Sequence, residues 1–325
     1  MNRRELLQWV AGAIVAVVPR NTQAQPAYPD RPIKLIVPRP AGGVVDVIAR
    51  EWSGKVSKTL GANFIENMGG GGGTIGAAAA ARAPADGYSL LFGTTSELVI
   101  SPLLGHQSYD PVAGFEPIAI LCDSAASIVV HPSLPVSNLR ELVAYMHRYK
   151  DRANYGSAGA GTVSNLAGEL FKRVADLPEL VHVPYKGGGP LFGDAISGQI
   201  PMSTPMMSQQ VYELHRLGKL RVIAVAAERR LGAMPNIPTA VEQGYPDLVA
   251  RLFFGIFAPA NTPQPVIARI EQATQLALAD PVLRKNFEAS GFETPHNTGS
   301  AAAASYVASE IVRWKPILEK FGTKK

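Results

Sequence analysis

Three times in this 325-residue chain an extended stretch runs into a turn of glycine and other small residues that opens directly onto a helical pattern. In IKLIVPRPAGGVVDVIAR the extended residues are 33–38, and Val45, Ile48, Trp52 and Val56 then recur at helical spacing. In NYGSAGAGTVSNLAGELF the turn is Ser157-Ala158-Gly159-Ala160-Gly161-Thr162, and Val163, Leu166, Leu170 and Val174 share one helix face. HVPYKGGGP ends a strand at Tyr185-Lys186-Gly187, before a short helix that carries Asp194. Alternation of this kind predicts an α/β protein.

The rest of the chain agrees. Strands are predicted over residues 33–37, 89–92, 127–130, 154–156, 181–184, 220–226 and 253–257, and late helices over 263–278, 281–290 and 301–318. The glycine run 69–73 and the alanine run 77–81 read as a flexible loop feeding a helix. At 46% hydrophobic and 18% charged residues the chain can bury one large core or two smaller ones, and its length favours two lobes.

Each junction has a chemical consequence. A helix N-terminus leaves its first N–H groups unpaired and carries about half a positive charge, and glycine lets a ligand approach those donors. The turn around Ala41, Gly42 and Gly43 is therefore a candidate anion site, with Asp46 able to cap the helix or meet a polar group of a ligand. The second turn offers backbone donors plus the Ser157 and Thr162 hydroxyls. Gly43 and Gly159 are predicted to need φ > 0.

The first residues carry Arg3 and Arg4, an apolar run from Trp9 to Val18 and the small-residue stretch Thr22-Gln23-Ala24, the pattern of a secretory signal ending at residue 24. That run is about half the ~20 residues of a membrane span. Loss of three arginines and one glutamate with it takes the net charge from +5 to +3, and the remaining cations are scattered, so neither nucleic acid nor a membrane surface is implied as partner. Cys122 is the only cysteine, so no internal disulfide is available, and it reads as a small buried residue.

Enzyme signatures fit poorly. A nucleophile elbow requires glycine where Tyr155 precedes Ser157, and a Walker loop requires lysine where Ala77 follows Gly76. Gly71 to Gly76 matches G-x-G-x-x-G with Glu97 about 20 residues on, which leaves an exported or mislocalised dinucleotide-dependent enzyme as the alternative. A five-glycine run satisfies that pattern by composition alone. The six histidines show no paired spacing, so no metal site and no cofactor are expected.

The phrases YPDRPIKLIVPRPAGGVVDVIAR, APADGYSLLFGTTSELVISPLL, YDPVAGFEPIAIL, NYGSAGAGTVSNLAGELFK, HVPYKGGGPLFGDAISGQI, GKLRVIAVAAERRLGAMPNIPTAVEQGYP and FGIFAPANTP, in this order, resemble the tripartite tricarboxylate transporter receptors, also called Bug receptors. The resemblance covers nearly the whole mature chain. It implies a type II periplasmic binding protein fold, two α/β lobes with a ligand cleft between them, and no catalysis. Lobe 1 is expected from residues 25–126 and 253–325, lobe 2 from 127–252. The implied function is a periplasmic, monomeric receptor that captures a small carboxylate and passes it to the membrane subunits of a transporter, or serves a sensor instead.

Carried over by position, Arg39, Ala41, Gly42, Gly43 and Asp46 form one ligand loop, and Ser157, Ala158, Gly159, Gly161 and Thr162 the other. Together they are expected to hold a carboxylate, partly through ordered water. Thr95 and Ser96 are expected to approach the cleft, and Tyr185, Gly187 and Asp194 are further candidates. Three positions depart from the family pattern: Arg39 stands where an aromatic residue is usual, Met68-Gly69 where Arg-Pro is common, and Asn165 where histidine is frequent. Arg39 is expected either to meet a second carboxylate of the ligand or to pair with a surface acid.

Overall fold

The segment IKLIV is apolar except for Lys34, and such a run suits a strand covered on both faces. It forms β1 (Ile33–Val37), whose residues other than Lys34 are buried. The computed structural model describes residues 28–319 except His106, Ala233, Ser290 and His296, so the export signal expected over residues 1–24 lies outside the described residues. After β1 come α1 (Val44–Leu60), β2 (Asn63–Asn67), α2 (Thr74–Ala81) and β3 (Ser89–Thr94). A π-helical turn, Ser96–Ile100, continues into α3 (Ser101–Leu103), and β4 (Phe115–Ala125) follows.

The chain goes on through β5 (Ser127–Val130), α4 (Leu139–Arg148), β6 (Asn154–Ser157), α5 (Val163–Val174), β7 (Val181–Pro184) and α6 (Gly188–Ser197). Next are β8 (Met202–Ser203), α7 (Gln209–Arg216) and β9 (Arg221–Val225), and then β10 (Arg251–Pro259), α8 (Gln264–Ala279), α9 (Pro281–Ala289) and α10 (Ser300–Glu319).

These strands form two five-stranded sheets, ordered β2-β1-β3-β10-β4 and β7-β6-β8-β5-β9. In the first, β1 runs parallel to β2 and β3 with Leu35 opposite Ile65 and Leu90, while β10 runs antiparallel to β3 and β4. In the second, β6 is parallel to β7 and β8, and β5 is antiparallel to β8 and β9. This is the two-lobed α/β architecture expected from the sequence. Helices α8 and α10 pack on β4, and α8 packs on α1, where Trp52 Nε1 reaches Thr274 Oγ1 at 3.3 Å.

Several boundaries differ from expectation. β3 runs two residues past the expected 89–92, and β10 covers nine residues where 253–257 was expected. β4 is absent from the sequence reading. Most of its residues are buried, so it shows no alternation between polar and apolar faces. Cys122 lies in it, buried, with burial pushing its thiol pKa up.

The sheets are joined by closely paired small residues. Ala126 N donates to Ala250 O (2.8 Å), Ala226 N to Ala126 O (2.7 Å) and Ala250 N to Ala226 O (2.9 Å), and all three alanines are buried. Among the described residues no helix is long and apolar enough to cross a membrane.

Candidate functional site

In each sheet the carboxyl ends of parallel strands face the cleft, the place where open α/β sheets bind ligands. β1, β6 and β7 each deliver a turn there, and the helices that follow, α1, α5 and α6, begin on one shared chamber of about 100 Å3. Val44 and Val45 line it from the first turn of α1, Val163 and Ser164 from α5, and Gly188 and Gly189 from α6. Neither α1 nor α6 has a side-chain cap, so the leading N–H groups of both are available to a ligand. Lys186 adds a cation to the wall.

The first turn is shaped from behind. Gly42 takes φ +84°, which favours glycine, whereas Gly43 sits at φ −83°, so the left-handed residue is Gly42 and the expectation for Gly43 is corrected. Asp46 is buried, with both carboxylate oxygens engaged: Oδ2 accepts from Gly42 N (2.9 Å) and Arg50 Nε (2.8 Å), and Oδ1 from Asn67 Nδ2 (2.9 Å). It holds the turn and does not line the chamber. Burial alone would raise its pKa, but the bonds from Arg50, Gly42 and Asn67 hold it below the ordinary 3.8.

Asp46→Ala is expected to cost about 2–3 kcal/mol, since hydrogen bonds to a buried charge are lost and Asn67 and Gly42 keep unmet donors. A group with a lowered folded pKa stabilises above its unfolded value and loses that contribution as pH falls through the folded one. The gap between parent and variant in urea midpoint should therefore be full at pH 6 and shrink only below pH 3.8.

The second turn is largely self-satisfied. Ser157 Oγ accepts from Gly159 N (3.1 Å) and lies 2.7 Å from His182 Nε2, and Thr162 Oγ1 donates to Gly159 O (2.7 Å) while accepting from Asn165 N (3.2 Å). The two hydroxyls expected to face a ligand are thus turned inward, although Thr162 still borders the chamber. Gly159 (φ +131°) and Gly161 (φ +72°) need left-handed backbone here. Asn165 joins the turn to the core, accepting from Gly161 N (3.1 Å) and donating to Tyr155 Oη (2.9 Å). Gly168 has no side chain because a Cβ would overlap the Tyr155 ring.

Arg39 borders the chamber, yet its guanidinium is held elsewhere: Nη1 donates to Pro38 O (2.8 Å) and Nη2 to Glu97 Oε2 (3.2 Å). Its side chain is 12% exposed and that of Glu97 0%. The partner is therefore a buried acid, which corrects the surface-acid expectation. Burial pushes the Glu97 pKa up, opposed by Arg39 and by hydrogen bonds from Thr94. Gly73 underlies the pair, where a Cβ would overlap the guanidinium. The glycine run is thus a packed turn and not a loose connector: Gly70 to Gly73 all have positive φ, and Gly69 lies against Pro40. Glu97, buried in this pair, is not placed to meet a ribose.

Of the expected residues, Arg39, Ala41, Gly43, Ser96, Ala158, Thr162 and Gly187 line the chamber, and Gly42 lines an adjoining one. Thr95, Asp46, Ser157, Gly159, Gly161, Tyr185 and Asp194 line neither. Thr95 Oγ1 accepts from Phe253 N (3.0 Å), and Tyr185 Oη donates to Asp194 (2.7 Å), with burial and then Asp194 pushing the tyrosine pKa up to about 12. Not anticipated were Met206 and Leu252, and the leading residues of the three helices. The helix residues follow from the junction argument itself: the donors belong to the first helical turn, one to three residues beyond the glycines.

A family model described as the tripartite tricarboxylate transporter family receptor matches residues 48–323. The chain belongs to this receptor family. It is 31% identical over 300 residues to the protein BugT of Bordetella pertussis, covering 91% of each chain. Among solved structures, a periplasmic transporter superposes with a TM-score of 0.86 at 33% identity, covering 92% of this chain and 99% of its own. MatC from Rhodopseudomonas palustris with bound malate gives a TM-score of 0.84 at 30% identity, covering 89% and 99%. A second R. palustris protein, solved with adipate, gives 0.84 at 27% identity, covering 90% and 97%. Receptors of this family are solute-binding proteins, so the chain is not an enzyme and the dinucleotide alternative is withdrawn.

Proposed function

We propose that this protein is a periplasmic receptor that captures a small carboxylate between two lobes and delivers it to the membrane subunits of a tripartite transporter. The observation that carries the reading is the convergence of three helix N-termini, two of them uncapped, on one chamber. An anion placed there meets N–H donors and the positive ends of α1, α5 and α6 without needing a paired cation. The malate and adipate found in two relatives are carboxylates of this kind. Residues 1–24 serve as the export signal in this reading, lobe 1 comprises 25–126 and 253–325, and lobe 2 comprises 127–252. The paired alanines 126, 226 and 250 are the hinge about which the lobes close.

The first test is a thermal-shift panel of mono- and dicarboxylates, with NAD and ATP as negative controls. A ligand at 100 times its Kd adds about 2.7 kcal/mol to stability, a readily measured rise in melting temperature. Mass spectrometry of small molecules released from gently purified protein identifies the natural ligand. Absence of any carboxylate in both experiments would refute the reading.

A further inference from the structure

The donor chamber has a second, larger space beside it. This cavity, about 390 Å3, shares Val44, Ala158, Gly188 and Met206 with the donor chamber and runs between α1 on one side and α6 and α7 on the other. Its remaining wall is mostly apolar: Leu191, Phe192, Pro205 and Phe292, with Val47 of α1 at 49% exposure. The polar groups are few and gathered on α7 and its cap. Ser208 Oγ already accepts from Val211 N, and Gln209 and Gln210 are neutral. Among the described residues Glu213 is the one charged residue of this lining, and it is acidic, paired with Arg216 at 2.8 Å. No cation lines this cavity among the described residues.

We infer that the bound solute is a monocarboxylate with an unbranched or aromatic apolar body of about six to eight carbons. The inference rests on the carboxylate reading above and names the part of the ligand that reading leaves open. The carboxylate occupies the chamber where the three helices begin, and the apolar body extends past Val44 and Met206 into the larger cavity. A charged far end would have to give up water beside Leu191 and Phe192 with no cation to receive it, and would stand near Glu213. Arg39, the side chain expected to receive a second carboxylate, is held by Glu97, and Lys186 lines the donor chamber where the first carboxylate sits, not the larger cavity that the far end enters. An apolar far end gains from leaving water there, by about 0.8 kcal/mol for each buried methylene, which is roughly fourfold in affinity.

The experiment is calorimetry of the mature protein with butyrate, hexanoate and octanoate beside succinate, adipate and suberate. Monoacid affinity is expected to rise about fourfold per methylene from butyrate to octanoate, with each monoacid binding at least tenfold more tightly than the diacid of equal length. Val47→Asn, a neutral polar change at a half-exposed helix residue, is expected to weaken octanoate at least fourfold while leaving butyrate, which does not reach that wall, within a factor of two, with the urea midpoint read alongside to show that the fold is kept. Diacids equal to or tighter than monoacids, or affinity independent of chain length, would overturn this inference and leave the carboxylate reading standing. Binding of octanol as tightly as octanoate would overturn both, because the donor chamber would then have no part in recognition.

Discussion

Replacing Arg39 by Met is expected to cost about 3–5 kcal/mol of folding stability, read as a lower urea midpoint in the ligand-free protein. The magnitude follows from Glu97. Its side chain is fully buried, and with Arg39 removed its charge retains hydrogen bonds from Thr94 and its own backbone N–H but no counter-charge at its side. The loss should depend on pH in a defined direction. Burial already raises the pKa of Glu97 and Arg39 opposes that rise, so in the variant the carboxyl titrates higher still. A group with a raised folded pKa contributes stability below its unfolded value and loses it as pH rises through the folded one. Arg39→Met should therefore be more severely destabilised at pH 8 than at pH 5. Adding Glu97→Gln should recover more than half of the loss, because a neutral amide needs no counter-charge. A double variant no more stable than Arg39→Met would show that the guanidinium acts through something other than this pair.

That pair also marks where sequence reasoning runs out. The three strand-turn-helix junctions were legible because their determinants are local: glycine at Gly42, Gly159, Gly161 and Gly187 permits positive φ, and a helical apolar spacing begins just beyond the first two. Those turns place the donors. Arg39 and Glu97 lie 58 residues apart, and nothing in either neighbourhood announces the other. The same applies to the large cavity, whose walls come from α1, α6, α7 and Phe292, segments remote in the chain. Polar roles failed for another reason. Residue type shows that Ser157, Thr162 and Asp46 can bond to a ligand, but a tight turn has its own unpaired N–H groups, and these side chains satisfy them first.

Gly72→Val is expected to lower affinity for whichever carboxylate binds best at least 100-fold, about 2.7 kcal/mol. Gly72 lies between β2 of the first sheet and α2, and a Cβ built on it lies 3.0 Å from Ala160 O, in the turn after β6 of the second sheet. The γ-methyls of valine would extend further, so the lobes could not approach to the separation seen here. Nearby, Val163 N donates to Ser96 Oγ across the same gap at 3.4 Å, a contact that requires that approach. If ligand binds tightly only when both sets of helix N-termini reach it, blocking closure lowers affinity by the fraction of closed protein lost. Valine at φ +66° also strains the backbone by about 1–2 kcal/mol, and that must be separated from the effect on closure. Gly61→Val provides the control: Gly61 has φ +70° but no atom within 4 Å of its Cβ position, at the far end of α1. Gly61 (ψ −157°) is the more demanding backbone position of the two, so Gly61→Val should lose at least as much stability as Gly72→Val (ψ +18°), yet only Gly72→Val should lose affinity. Small-angle scattering should show contraction on adding carboxylate for Gly61→Val and none for Gly72→Val. Equal affinities in the two variants would mean that the glycine run serves packing around Arg39 alone and that lobe closure does not pass through this contact.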